Sequence, residues 1–273
     1  MKIAGREAFF SGAPCQVAGL RGYLGRDWPN LITVDLVCHG VPSEAMFRSM
    51  VSSVERGNEK QIIDFRFRCK RNGWGHSLLL RSRRVGGARS SQDEESLIPA
   101  HDSAYYDLFL NLKTLRDSCY ACPFASSLRP ADITLGDFWG VQRSRPDVLE
   151  GARFDMDGGV SCLPVNTERG RVALGELGGD LNLFEVSFDD IAKGNDQLRH
   201  PSALPEDRGV YLAAFRQGGW DAVESLWQRR ERGMKYHLKR AVKRVVPKRL
   251  IDFAKSVAVR GRELVVIYFP SKE

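Results

Sequence analysis

Two hydrophobic rhythms take turns over the first 190 residues of this 273-residue chain. Strands are expected where apolar residues alternate or run unbroken, and helices where they recur about every 3.6 positions. Glu7 to Phe10 reads as a short strand running into the turn Ser11-Gly12-Ala13-Pro14. Over Cys15 to Leu24, Val17, Leu20 and Leu24 share one side of a predicted helix. Leu31 to Val37 is apolar and β-branched, as a buried strand requires, and ends at Cys38-His39-Gly40-Val41-Pro42. Ser43 and Glu44 open a second helix carrying Met46, Phe47, Met50 and Val54. Strand, irregular turn and helix, twice in succession, predict an α/β fold with a mixed sheet flanked by helices.

Downstream, Ile63, Phe65 and Phe67 alternate with polar neighbours over Ile62 to Arg68, the mark of a half-exposed strand. Ser77 to Arg83 is expected to pair with it across Asn72-Gly73. Gly86 to Glu95 is polar and rich in Gly and Ser, hence a loop. Tyr105 to Arg116 reads as a helix leading into Cys119-Tyr120-Ala121-Cys122-Pro123. Two further strands are predicted, Asp132 to Gly136 and Val160 to Asn166. The first ends in Gly136-Asp137-Phe138-Trp139-Gly140, and the second leads into a helix from Thr167 to Leu177.

Past about Ser187 the pattern becomes helical. Tyr211 to Gln228 is amphipathic, with Phe215, Val223 and Trp227 facing a core, and Gly233 breaks it. Met234, Leu238, Ala241, Val242 and Val245 then form a stripe among Lys235, Lys239, Arg240, Lys243 and Arg244, which Pro247 ends. Leu250, Phe253 and Val257 begin another. The expected organisation is one domain over residues 1–190 and a basic helical tail over 191–273.

That tail changes the meaning of the net charge. The chain carries +7, but Arg229 to Glu273 alone holds 14 Lys and Arg against 4 Asp and Glu, leaving −3 for the body. A basic helix with an apolar stripe suits a solvated face or an anionic membrane surface. Nucleic acid is disfavoured, because Trp220 and Trp227 precede the basic run and no binding motif accompanies it. No stretch approaches the roughly 18 apolar residues of a membrane span. Arg6, Gly12 and Pro14 break up any signal core, so a cytoplasmic protein is expected, with at most peripheral contact at the inner membrane face.

Six cysteines are too few for a disulfide-stapled secreted domain, which turns attention to metal or redox chemistry. Cys15 and Cys38 each follow a predicted strand, and strand ends of an open α/β sheet converge on the edge where ligands bind. Cys119 and Cys122 form a CxxC loop closed by Pro123. Gly and Pro around these positions let the backbone wrap a cofactor and turn N–H groups toward sulfur. Cys69 and Cys162 lie inside strand-like runs and read as ordinary buried residues. Four thiolates can hold an iron–sulfur cluster or a tetrahedral zinc, and the spacing by itself leaves both open.

Three blocks, Phe10-Ser-Gly-Ala-Pro-Cys15-Gln-Val-Ala-Gly-Leu20, Cys38-His-Gly-Val-Pro-Ser43 and Cys119-Tyr-Ala-Cys122-Pro-Phe124, carry a resemblance. Arg129-Pro-Ala-Asp-Ile-Thr-Leu-Gly-Asp-Phe-Trp-Gly140 and Gly159-Val-Ser-Cys-Leu-Pro-Val-Asn-Thr-Glu-Arg-Gly170 extend it. Together they resemble the C-terminal domain of the coenzyme F420 hydrogenase/dehydrogenase beta-subunit family over roughly residues 7 to 175. The resemblance implies an iron–sulfur flavoprotein that moves electrons between a deazaflavin, ferredoxin or another carrier and a substrate. It also implies a 4Fe-4S cluster on Cys15, Cys38, Cys119 and Cys122, with ferredoxin or a partner redox subunit as electron source. Relatives begin with a ferredoxin-like segment and a small glycine-rich domain that helps hold FAD, and this sequence opens at the PCQ block. A truncated member, a fragment, or one half of a two-chain enzyme is therefore expected, with FAD less secure than the cluster. The basic tail resembles that of bacterial members associated with polysaccharide biosynthesis. The rival expectation is a non-enzymatic scaffold held by zinc that docks on a membrane or a glycan-assembly partner.

Other candidate cofactor contacts each have a plainer role. Trp139 can stack on a flavin and Asp137 can accept its hydrogen bonds, or the loop is a turn with an aromatic core anchor. Lys70, with Arg71 and Trp74, can meet a phosphate or form a solvated charge cluster. His39 can relay protons beside Cys38 or simply bind backbone. Gly12 and Gly40 supply close approach and N–H groups. Thr167 reads as a helix cap.

Overall fold

The computed structural model describes residues 6–84, 93–150, 158–177, 181–232 and 264–268. Its strands in chain order are β1 (Ala8–Gly12), β2 (Leu31–Leu36), β3 (Lys60–Arg66), β4 (Ser77–Arg84), β5 (Glu94–Pro99), β6 (Ile133–Asp137), β7 (Val160–Pro164), β8 (Asn182–Glu185) and β9 (Leu264–Tyr268). The helices are α1 (Pro14–Leu24), α2 (Glu44–Asn58), α3 (Ala104–Leu110), α4 (Val141–Ser144), α5 (Pro146–Glu150), α6 (Glu168–Glu176), α7 (Phe188–Ala192) and α8 (Arg208–Glu231). The chain divides into two compact units: Met1–His39 with Ala121–Ser202 and Ala258–Glu273, and Gly40–Tyr120 with Ala203–Val257.

In the first unit six strands form a mixed sheet in the order β1-β2-β6-β7-β9-β8, as the α/β pattern predicts. β1, β2 and β6 run parallel, with Gly12 opposite Asp35 and Asp35 opposite Thr134. β7 turns antiparallel to β6, pairing Gly136 with Cys162. Val34, Ile133, Leu163, Val165 and Leu174 make a core between sheet and helix. Pro14 opens α1, where its missing N–H costs nothing, and Gly25 closes it at φ 65°. α6 starts where the Thr167 hydroxyl accepts from the Gly170 N–H at 3.1 Å, the expected cap.

The second unit is built on the antiparallel sheet β3-β4-β5. Its core gathers Met46, Met50, Tyr105, Leu108, Tyr211, Trp220, Val223 and Trp227 from α2, α3 and α8. Gly218 and Gly219 interrupt α8 with non-helical backbone, and Ser49 Oγ accepts the Trp220 N–H at 3.1 Å. The break turns the predicted amphipathic helix into two shorter ones.

Several boundaries differ from expectation. α3 ends at Leu110 rather than Arg116, because Leu112 takes φ 62° and the Lys113 N–H returns to the Leu108 carbonyl. Leu115 then pairs with Pro42 as an isolated bridge. Glu94 and Glu95, expected in a loop, begin β5 because each faces an arginine or serine of β4 across the ladder. Cys69 lies beyond the end of β3 and is half-buried, not inside a strand. The predicted tail stripes from Met234 to Val257 and most of the Gly86–Glu95 loop lie outside the described residues. Among the described residues no helix is long and apolar enough to cross a membrane.

Candidate functional site at the strand ends

Parallel neighbours send their chain onward from the same edge of a sheet, and this geometry sets the candidate site. β1 leads through Ala13 into α1, placing Cys15 at the second position of that helix. β2 ends at Leu36, two residues before Cys38. Cys15 is exposed and Cys38 half-buried, and neither forms a disulfide. Gln16 stabilises the turn before Cys15 by accepting the Ala13 N–H on Oε1 at 2.8 Å. A Cβ on Gly12 would lie 2.9 Å from that oxygen, so any side chain there would displace the Gln16 amide.

Cys122, also half-buried, belongs to the same unit. Its turn is closed by the Ala125 N–H on the Cys122 carbonyl. Arg129 ties that turn to β2: Nη1 donates to the Phe124 carbonyl and Nη2 to the Leu36 carbonyl, each at 2.8 Å. The same Nη2 stands 3.0 Å from Asp35 Oδ2, with the two side chains 2% and 0% exposed. Burial pushes the Asp35 carboxyl above its ordinary range, and the charge of Arg129 only partly offsets this. On its far side the Cys38-His39 loop is held by Ser202, whose hydroxyl donates to the His39 carbonyl at 2.9 Å.

Cys119 lies in the second unit, at the end of a short 3-10 turn over Asp117–Cys119. The Val41 N–H points at its sulfur, 3.4 Å away, and the Val41 carbonyl accepts from the Arg116 N–H. Gly40 makes this possible with φ 120°, and a Cβ there would sit 2.5 Å from Leu115. An N–H aimed at a thiolate stabilises the negative sulfur, a feature of cysteine-ligated metal sites.

The remaining candidates are divided between the units. Gly12, His39, Asp137 and Trp139 lie in the first, Gly40 and Lys70 in the second. Phe138, not Trp139, is the core anchor of the GDFWG loop: it is fully buried, while Trp139 and Asp137 are half-exposed. The loop is fixed through its backbone, since Asn195 Nδ2 donates to the Asp137 carbonyl at 3.1 Å. Gly194 presses so closely on the Trp139 carbonyl that no side chain fits between them. Lys70 is exposed on a 3-10 turn. Cys162 is fully buried in β7, and burial with the nearby Asp137 charge pushes its thiol up to about 12, so it stays protonated.

Among the described residues no group of three or more His, Cys, Asp or Glu side chains lies close enough to hold a metal ion. The donor chemistry nevertheless suits a thiolate-ligated metal, with four exposed or half-buried cysteines outside disulfides and one sulfur already facing an N–H. Sequence reasoning missed Arg129 and Asp35 as a pair. The available signal was an aspartate inside the apolar run Leu31 to Val37, where a buried charge demands a partner.

No curated protein matches the chain. A family model for the C terminus of the coenzyme F420 hydrogenase/dehydrogenase beta subunit matches residues 5–183, close to the span of the motif blocks. The description is that of part of an oxidoreductase, and the family is associated with redox cofactors. With the match covering more than half its length, the chain belongs to the C-terminal-domain family of coenzyme F420 hydrogenase/dehydrogenase beta subunits.

Proposed function

We propose that this chain is the iron–sulfur electron-transfer domain of a flavin-dependent oxidoreductase, with Cys15, Cys38, Cys119 and Cys122 as ligands. The observation that carries the reading is the departure of Cys15 and Cys38 from the ends of adjacent parallel strands. A 4Fe-4S cluster held there would supply one-electron transfer to and from a carrier such as ferredoxin or a partner redox subunit. The residues of the chain do the rest. Gly12 and Gly40 shape the turns that present Cys15 and Cys38, and the Val41 N–H stabilises the Cys119 sulfur. Asp137 and Trp139, on a loop fixed from behind by Asn195, are the proposed contacts for FAD, with Lys70 for its phosphates and His39 for a proton. A reducing, cytoplasmic setting would protect such a site, and a role in polysaccharide biosynthesis belongs to the same reading.

Anaerobic purification followed by iron, sulfide and zinc analysis tests it. Iron and acid-labile sulfide with a brown chromophore are expected, lost in Cys119→Ser and retained in Cys162→Ser. A colourless protein with zinc on the same thiols would replace the redox reading with a structural one. Equal behaviour of the two variants would overturn the ligand assignment.

A further inference from the structure

We infer that Arg129 is a positioning residue that sets where Cys38 and Cys122 stand, an inference that rests on reading those cysteines as ligands. The two belong to chain segments 84 residues apart, and among the described residues no sheet ladder joins them. One guanidinium does. Its Nη1 holds the Phe124 carbonyl, two residues after Cys122, and its Nη2 holds the Leu36 carbonyl, two residues before Cys38. Two residues of extended chain span at most about 7 Å, so each anchor controls its cysteine at short range. Asp35, opposite Gly12 in β1 and Thr134 in β6, pairs its carboxylate with the same guanidinium at 3.0 Å.

The arrangement distinguishes geometry from charge. Asp35 neutralises Arg129, so the pair contributes little net field at the strand ends. What only arginine supplies is the rigid planar fork, which donates to two carbonyls in fixed directions. Lysine would keep the ion pair with Asp35, but a point charge cannot hold both carbonyls in register. Cys15 serves as an internal control, because its turn is fixed by Gln16.

The test compares the full chain with Arg129→Lys, measuring alkylation by iodoacetamide at each cysteine in the reduced, metal-free protein by mass spectrometry. Loss of a hydrogen bond from a charged donor changes local opening by about tenfold. Cys38 and Cys122 should therefore react about tenfold faster in the variant, relative to an unchanged Cys15. In protein reconstituted with iron and sulfide, the visible absorbance should decay faster under a chelator, again by about tenfold. Equal rates at Cys38 and Cys122 in both proteins would overturn the inference, as would a parallel rise at Cys15, which signals general loosening. If Arg129→Lys folds poorly, Asp35→Asn with Arg129→Gln, an uncharged pair that leaves no buried ion stranded, is read in the same way. Failure of the wild-type chain to take up iron and sulfide sinks the ligand reading alone, because the alkylation pattern judges the brace without metal.

Discussion

Asp35 stands on β2 and Asp132 just before the neighbouring β6, both buried, and their surroundings are opposite. Asp132 Oδ2 accepts the Thr33 N–H at 2.8 Å, the Thr33 hydroxyl at 2.7 Å and Arg21 Nη2 at 3.1 Å. Its Oδ1 accepts the Thr167 hydroxyl at 2.7 Å. Burial raises this carboxyl, but the donors outweigh it and hold the group below its ordinary range. Asp35 is dominated by burial and sits above that range, with Arg129 as its main offset. The saturated carboxylate knits β2, β6 and α6 together and needs nothing further to explain it. The poorly compensated one lies nearer the ends from which the cysteines depart. A buried ion pair is weak evidence for stability, since an apolar pair of similar volume is often as good. The contrast teaches that the Arg129–Asp35 pair is explained by what the guanidinium holds, not by the pair itself.

The largest effect that could break this contrast comes from Arg129→Gln, which leaves Asp35 buried without its cation. Unfolding in urea should show a loss of about 3–5 kcal/mol, the usual cost of stranding one partner of a buried pair. Adding Asp35→Asn should recover most of it. A loss within about 0.5 kcal/mol, the level of an ordinary surface change, would mean that water already reaches Asp35.

Asp132→Asn comes next. It turns an acceptor-only group into one whose amide faces donors, and about 2–3 kcal/mol should be lost through hydrogen bonds to a charged group. Unlike the Arg129 variants, it should leave the relative reactivity of Cys38, Cys122 and Cys15 unchanged. Thr167→Ala is smaller, at about 1 kcal/mol for a lost helix cap. Thr167→Ser should restore the stability, because its hydroxyl can still accept from Gly170 and donate to Asp132. If serine does not rescue, the methyl group rather than the hydroxyl is what α6 needs.

How much of this was legible in the sequence follows from the range of the interactions. β1, α1, β2 and the start of α2 came from local periodicity, and the turns Ser11-Gly12-Ala13-Pro14 and Cys38 to Pro42 fell where glycine and proline placed them. The Thr167 cap acts over three residues and was equally readable. α3 was drawn too long because Leu112 at φ 62° breaks a run with no Gly or Pro to announce it. β5 was hidden because it opens on Glu94 and Glu95, which face Ser82 and Arg81 of β4 and carry no apolar rhythm. At the site, the four cysteines stood out by their Gly and Pro neighbours. Arg129 did not, since its bond to Leu36 spans 93 residues and no local pattern encodes that distance.

The smallest and most discriminating effect is in pH. Asp132 lies below its ordinary value of 3.8 in the folded chain, so on acidification the unfolded chain takes up that proton first. Its contribution is complete above 3.8 and is lost as pH falls through the folded value. Asp35 lies above 3.8, so the folded chain binds the proton first. Its contribution is complete below 3.8 and is lost as pH rises through the folded value. In the wild-type chain the two slopes have opposite sign and lie on opposite sides of 3.8. Urea midpoints followed from acid to neutral pH should therefore separate them. Asp132→Asn should flatten the loss seen below 3.8, whereas Asp35→Asn should remove the loss that sets in as pH rises above 3.8. If both substitutions changed stability on the same side of 3.8, the two carboxylates would share one environment, and the distinction between anchor and brace would fail.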